Sequence, residues 1–505
     1  MRKNKLVTII MAALSLLLAL GLFAGCASGP SAKSSGGEGK LSVFAASPFP
    51  KESQLDSFAK EGLRSLSSFE LSNGIPVVVR KNSASPIRHI SLVLRGGASA
   101  ATLDTAGYEN LALAVMARGS RNYSYEQITA ALEDMSAGLG PDSSGTIGMD
   151  CSLYTLNVLD KYYDKIFPIW TDTLTEPTFD QKDFDQVLSD AKLAWTSAEK
   201  NPWSRMSHLM NASFFEGHPY AAAPDGLKDS LDKATLDAIK SWYDKSFSSD
   251  RIFIVAAGDF DVASLRADLE KSLGKIPDKH VGYPKDLPPT GGVAKKLQKI
   301  EHPQSRGLAY IRGDFYAPSM ADPDYMATGI AMKMYDGLLF DNVREQNGAA
   351  YGANAYIRST KSNYGSIAIF KTTMAAKIKG FIDQATDEFK AGKCLSPEDT
   401  GEGKVAERVP IEDAIASYKA QFKNSYYEDS QTNSEVAKTI IRSVIQTGDC
   451  RTWLLDGQKI DAVTADQVKA AAKKYIFDGK IVWIAVGSAD TLVGLTEADY
   501  EKLGN

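Results

Sequence analysis

The chain has 505 residues, 44% of them hydrophobic and 24% charged, with a formal net charge of −5. Those values exclude a disordered polyelectrolyte and leave apolar surface for two or more sizeable cores. No basic cluster is present that would hold nucleic acid, so a nucleic-acid partner is excluded.

The first element is a targeting segment. Arg2, Lys3 and Lys5 form a basic start, and residues 6–23 are an apolar run. Leu22-Phe23-Ala24-Gly25-Cys26 looks like a bacterial lipobox, in which small residues precede a cysteine that takes lipid and becomes the mature N-terminus. A transmembrane anchor or a secretory peptide cut elsewhere are the alternatives, but the run is short for the ~20 residues of a membrane span. On this reading residues 1–25 are a lipoprotein signal peptide and Cys26 is the lipidation site. The protein is then expected in the bacterial cell envelope, lipid-anchored and facing the periplasm. Ala27, where some bacteria place Asp, favours the outer membrane over the inner. Residues 27–40 are dominated by Gly and Ser, and 26–65 is expected to be the lipidated cysteine and a flexible tether. Loss of the leader's three cations takes the charge to about −8.

The body opens with a hairpin, Phe69-Glu70-Leu71 and Val77-Val78-Val79 around a turn at Asn73-Gly74. A strand-like run follows at residues 89–96, and then a helix-like stretch from Gly107 to Ser120. Leu159, Tyr162, Ile166 and Trp170 fall at helical spacing, with Pro168 expected to kink that helix. Residues 235–240 read as a capped amphipathic helix leading into a buried strand, 252–258. Pro277, Pro284, Pro288, Pro289, Gly291 and Gly292 mark a linker at 276–296.

The second half repeats this layout. Residues 307–313 parallel 89–96, and Ile378, Phe381, Ala385 and Phe389 fall at helical spacing. Thr464 stands as far before the run 481–487 as Thr235 stands before 252–258. The expectation is an α+β fold of two homologous halves, residues 66–275 and 297–500. Each half would be an antiparallel sheet covered by helices on one face.

Three cysteines remain beyond Cys26: Cys151, Cys394 and Cys450. An oxidising envelope permits one bridge, for which Cys394–Cys450 is the preferred pair; three free thiols are the favoured alternative. Five histidines, His89, His208, His218, His280 and His302, show no ligand spacing and read as surface or loop-packing residues. Ser197-x-x-Lys200 and Ser230-x-x-Lys233 both fit a Ser–Lys dyad, and a pattern that fits two unrelated places carries little; both read as helix-surface residues. Asp183/Asp185 and Asp259/Asp261 read as helix-start acids.

The stretch Gly107-Tyr108-Glu109-Asn110-Leu111-Ala112-Leu113-Ala114-Val115-Met116-Ala117-Arg118-Gly119-Ser120 resembles the signature helix of the insulinase/pitrilysin zinc metallopeptidases, which includes the mitochondrial processing peptidases. That family carries H-x-x-E-H there. In this frame the first His falls at Asn110, the Glu at Leu113 and the second His at Ala114. Leu71-Ser72-Asn73-Gly74, Leu174-Thr175-Glu176-Pro177-Thr178-Phe179 and His218-Pro219-Tyr220 with Gly226 resemble further family patterns. The distal Glu ligand would fall near Leu193-Ala194. Residues 338–351, with Arg344 and Tyr351, resemble the family's C-terminal L-F-x-x-(I/V)-R-E-x-x-G-x-x-Y stretch.

The resemblance implies two αβ halves closing like a clam on an unfolded peptide, with the Arg and Tyr reaching across to the zinc site of the other half. A zinc peptidase needs two imidazoles on one helical face, a Glu between them and a distal carboxylate. Bound zinc lowers the pKa of water to about 7, and one surviving carboxylate would not rescue the loss of it. The chain is therefore expected to bind no metal or cofactor. Some family members work as pairs, which implies a homologous zinc-bearing subunit as partner and zinc only there, with Arg344 and Tyr351 contributed to the partner's site. The alternative is a catalytically silent peptide-binding or structural scaffold.

Overall fold

A computed structural model describes residues 41–45, 48–142, 147–291, 297–397, 406–428, 430–501 and 503–504. The signal segment, Cys26 and part of the linker lie outside the described residues.

Two sheets organise the chain. The first contains β1 (Leu66–Glu70), β2 (Pro76–Lys81), β3 (Ile87–Arg95), β4 (Gly138–Asp142), β5 (Cys151–Leu159) and β6 (Ile252–Gly258), in the order β1-β2-β6-β3-β5-β4. The second contains β7 (Gln298–Glu301), β8 (Ala309–Tyr316), β9 (Ala350–Ile357), β10 (Tyr364–Thr372) and β13 (Ile481–Gly487), in the order β7-β13-β8-β10-β9. A separate small pair is β11 (Lys393–Leu395) with β12 (Arg408–Pro410). With β1 set aside the two orders match strand for strand. Each sheet is antiparallel except for one parallel pair, β2–β6 and β7–β13. β6 is buried along its whole length, as its unbroken apolar run requires.

The repeat holds at the level of strands, but its register differs from the sequence alignment. Leu94 pairs with Ile252 and Phe315 pairs with Ile481. Leu94 therefore corresponds to Phe315, and Gly313 occupies the place of Leu92 rather than that of Gly96. An even shift keeps every side chain on its own face, so alternation could not reveal it. A Cβ on Gly313 would stand 2.7 Å from the Trp483 ring, which accounts for the glycine there.

The longer helices of the first half are α1 (Ser57–Arg64), α2 (Tyr108–Met116), α3 (Tyr125–Met135), α4 (Tyr163–Thr175), α5 (Gln181–Glu199), α6 (Pro202–Phe214), α7 (Leu236–Ser246) and α8 (Val262–Ser272). Those of the second are α9 (Tyr325–Phe340), α10 (Ala375–Lys390), α11 (Ile411–Glu428), α12 (Asn433–Thr447), α13 (Asp456–Ala462) and α14 (Ala465–Ala471). Thr235 caps α7 through the Ala238 amide and Thr464 caps α14 through the Gln467 amide, so both repeat ends start in the same way. Ile166 and Trp170 are buried on α4, which runs through Pro168; Leu159 ends β5 instead of opening that helix.

The expectation of helices on one face of each sheet is incomplete. The second face is covered too, by a helix from the other half. Met206, Met210 and Phe214 of α6 pack with Tyr310, Tyr364, Val482 and Ile484 of the second sheet. Val436, Ile440, Ile441 and Val444 of α12 pack with Val78, Val93, Phe253 and Val255 of the first. Each such side chain contributes ~1.5–3 kcal/mol when buried, so the exchange locks the halves together.

The tether expected at 26–65 is also corrected for its described part. Phe44 stacks edge-on against Phe253 with centroids 5.4 Å apart, and the Cys450 amide donates to the Phe44 carbonyl at 2.7 Å. Phe58 on α1 meets Trp453 and Tyr427. Four aromatic and aliphatic side chains, Leu41, Phe44, Phe49 and Phe58, give this segment enough apolar surface to join the core between the halves. The three described cysteines are free and buried. Cys394 lies in the second half's core and Cys450 in the cluster under the first sheet, so the Cys394–Cys450 bridge is not formed.

Candidate functional site

Helix α2 starts at Gly107, whose backbone is left-handed with φ 82. A Cβ there would lie 2.6 Å from the Cα of Gly226, itself at φ 90, so the two loops meet backbone to backbone. Glu109 makes a buried ion pair with Arg251 at 2.9 Å, and Arg251 also donates to the Arg95 carbonyl. Leu111, Ala112, Val115 and Met116 face the first core.

The three positions of the degenerate motif have different surroundings. Asn110 is half-buried and its amide donates to Asp225 Oδ1 at 3.4 Å. Burial raises the Asp225 carboxyl. Leu113 is 1% exposed and belongs to the hydrophobic core, so an anionic base at this position would have to be desolvated. Ala114 is half-buried and offers no donor. On α5, Phe184, Val187, Leu188, Ala191 and Trp195 pack on the core, while Leu193 is 64% exposed. The family's zinc does not fit these residues: one amide, one core leucine and one alanine supply no ligand set. Among the described residues no group of three or more His, Cys, Asp or Glu side chains could hold a metal ion.

The histidines have structural partners instead. His89 is buried in β3 beside Ser91 Oγ at 2.8 Å, and burial lowers it to about 4, so it is a core residue and not a surface one. His208 Nδ1 meets Glu199 at 2.6 Å, and His302 Nε2 meets the Glu199 carbonyl. His218 Nε2 lies 2.9 Å from the Pro288 carbonyl, and His280 pairs with Asp278. Ser230 is fully buried and donates to the Ala106 carbonyl, which corrects its reading as a surface residue. Ser197 is exposed on α5. Asp183 pairs with Arg118 and Asp261 caps α8, as helix-start acids do.

The patterns that carried the resemblance are largely packing devices. Asn73 donates to the carbonyls of Leu273 and Ile276, tying the hairpin to the end of the half. Gly119 lets Thr178 approach; a Cβ would stand 2.9 Å from Thr178 Oγ1. Tyr220 donates to the buried Asp150, whose other oxygen accepts from the Lys361 amide at 2.8 Å. Burial raises Asp150 to about 6, and the same burial with the neighbouring carboxylate pushes Tyr220 up. His218, Tyr220, Pro288 and Ser362 thus join the first half, the linker and the second half.

Arg344 and Tyr351 are brought together. Helix α9 ends in a wider turn over Asp341–Glu345, and Gly348 at φ 54 redirects the chain into β9. The Arg344 guanidinium then lies 5.3 Å from the Tyr351 ring and 5.3 Å from the Phe340 ring. Tyr351 is 65% exposed. Phe370 stands edge-on behind Tyr351 at 6.2 Å, and Trp203 of α6 stands behind Phe370 at 5.2 Å. Within the described residues no hydrogen bond, ion pair or ring contact joins Arg344 or Tyr351 to α2.

Residues 76–223 match the family described as Insulinase (Peptidase family M16), and residues 233–393 match the Peptidase M16 inactive domain. The chain belongs to the insulinase family, M16. It is 25% identical over 301 residues to the non-peptidase homolog YmxG of Helicobacter pylori, covering 59% of this chain and 67% of that protein. It is 21% identical over 444 residues to the mitochondrial-processing peptidase subunit beta of Blastocladiella emersonii, covering 86% of this chain and 90% of the relative. The crystal structure of a peptidase M16 inactive domain from Pseudomonas fluorescens has the same fold, with TM-score 0.71 and 18% identity over 84% of this chain and 98% of that one.

Proposed function

We propose that this M16 homologue is a lipid-anchored envelope subunit that binds extended peptide and contributes Arg344 and Tyr351 to the zinc site of a homologous partner. The observation that carries the reading is the contrast between α2, which offers no metal ligand, and the exposed Arg344–Tyr351 pair. A guanidinium and a phenol both donate where negative charge develops on a scissile carbonyl, and one such donor is worth roughly 3 kcal/mol at the transition state. The relative named a subunit of mitochondrial-processing peptidase supports a paired assembly.

A peptide would add as a strand to an open sheet edge. On β9 the Ala355 amide already donates to Asp336 at 2.7 Å, which caps that edge. β4, the other edge of this kind, lies against α2 and is the better acceptor. The anchor at Cys26 and the periplasmic, outer-membrane location belong to the same proposal and rest on the leader sequence.

The test is reconstitution with a zinc-motif homologue from the same organism. Peptide cleavage should require both chains, and Arg344→Ala should lower kcat by about 100-fold at unchanged complex formation. A complex that cleaves equally well without Arg344 and Tyr351 leaves the scaffold reading; zinc-dependent cleavage by this chain alone overturns both.

A further inference from the structure

Lys371 stands on the same face as Arg344 and Tyr351 but outside the motif that carries them. Its backbone is left-handed, φ 57, an uncommon conformation for a lysine. It sits where β10 slips register against β8 between Ile369 and Thr372, which is a β-bulge. Against β9 the register is unbroken: Phe370 faces Gly352 and Thr372 faces Ala350, so Lys371 lies across from Tyr351. Its ammonium is 5.6 Å from the Tyr351 ring and 5.2 Å from the Phe370 ring.

Two cations therefore lie beside one exposed phenol, Arg344 Cζ at 5.3 Å and Lys371 Nζ at 5.6 Å from its ring centroid. Among the described residues Lys371 makes no ion pair, and Arg344 has only its exposed neighbour Glu345 at 3.7 Å. The Tyr351 hydroxyl likewise has no hydrogen-bond partner among the described residues. Like charges repel, and a left-handed bulge residue that brings a second cation to this phenol marks a place where a ligand offsets the cost.

We propose that Lys371 and Arg344 form a two-cation clamp for a carboxylate of the bound peptide, with the Tyr351 ring beside them as apolar wall. Arg supplies a planar fork and Lys a compact point charge, so the two can hold both oxygens of one carboxylate. This selects acidic peptides, and it rests on the peptide-binding reading given above. The carboxylate can belong to a Glu or Asp side chain or to a free peptide C-terminus.

The test uses the full chain in detergent and three fluorescein-labelled peptides of Val and Ser. One carries a central Glu with blocked ends, one a central Gln with blocked ends, and one a central Gln with a free C-terminal carboxylate. The Glu peptide should bind about tenfold more tightly than the blocked Gln peptide, equivalent to ~1.4 kcal/mol. Lys371→Met should abolish the preference and leave the blocked Gln peptide unchanged, while Lys371→Arg should keep it. A preference for the free C-terminus instead keeps the clamp and assigns the carboxylate to the peptide end. Equal binding of all three peptides overturns the clamp and leaves peptide binding intact. Binding of none overturns both, and a preference that survives Lys371→Met overturns the role of Lys371.

Discussion

In the first half the helix after β3 is short. α2 spans nine residues, turns the degenerate motif partly into the core and lies against the edge strand β4. In the second half the helix after β8 is long. α9 spans sixteen residues, is buried along most of its length and delivers Arg344 to the surface beside Tyr351 on the edge strand β9. The same topology has thus kept two different things. In the first half Leu113 is core; in the second a guanidinium and a phenol stand in water. The difference teaches that a motif position without a ligand need not be empty: Leu113 is used for packing.

The hardest way to break that comparison is to return the motif's acid. Leu113→Glu should destabilise the protein by about 4 kcal/mol, because an unpaired carboxylate would replace a core methyl pair. Urea unfolding measures it, and a loss under about 1 kcal/mol would mean the position is wet and the comparison wrong.

A second test sharpens the symmetry instead. Met210→Ala on α6 and Ile440→Ala on α12 each remove a fully buried side chain from the other half's sheet. Each should cost about 3 kcal/mol, and both should shift one shared unfolding transition. Two separate transitions by circular dichroism and tryptophan fluorescence would show that the halves are independent.

The smallest effect is at the joint between the halves. Asp150 is raised to about 6 by burial, against the pull of the Tyr220 and Lys361 donors. The folded state holds this proton more tightly than the unfolded chain does. Its contribution is therefore full below the unfolded value of about 3.9 and is lost as pH rises through about 6. Relative to Asp150→Asn, the wild type should gain on the order of 2–3 kcal/mol between pH 7 and pH 4. Parallel stability curves for the two proteins would place the Asp150 carboxyl in solvent.

Much of the fold was legible because it is written locally. The Asn73-Gly74 turn, the Thr235 and Thr464 caps and the apolar runs of β6 and β13 are each set by a few adjacent residues. The pair Arg344 and Tyr351 was legible as a spacing, and the missing ligands at Asn110, Leu113 and Ala114 as plain residue identity. The four-residue shift between β3 and β8 was hidden because alternation repeats every two residues. Lys371 was hidden because nothing in its neighbours names a bulge.

By itself the sequence determined the repeat, the family resemblance and the absence of zinc ligands on α2, since residue types and short spacings are sufficient for those. Only the tertiary structure decided that α6 and α12 trade sheets, that Leu41, Phe44, Phe49 and Phe58 pack against the core, that Cys394 and Cys450 sit apart, and that a lysine stands across from Tyr351. The physical reason is that an apolar stripe or a cation records what it needs to meet but not which distant surface supplies it. That choice is made when loop closure brings together residues far apart in the chain.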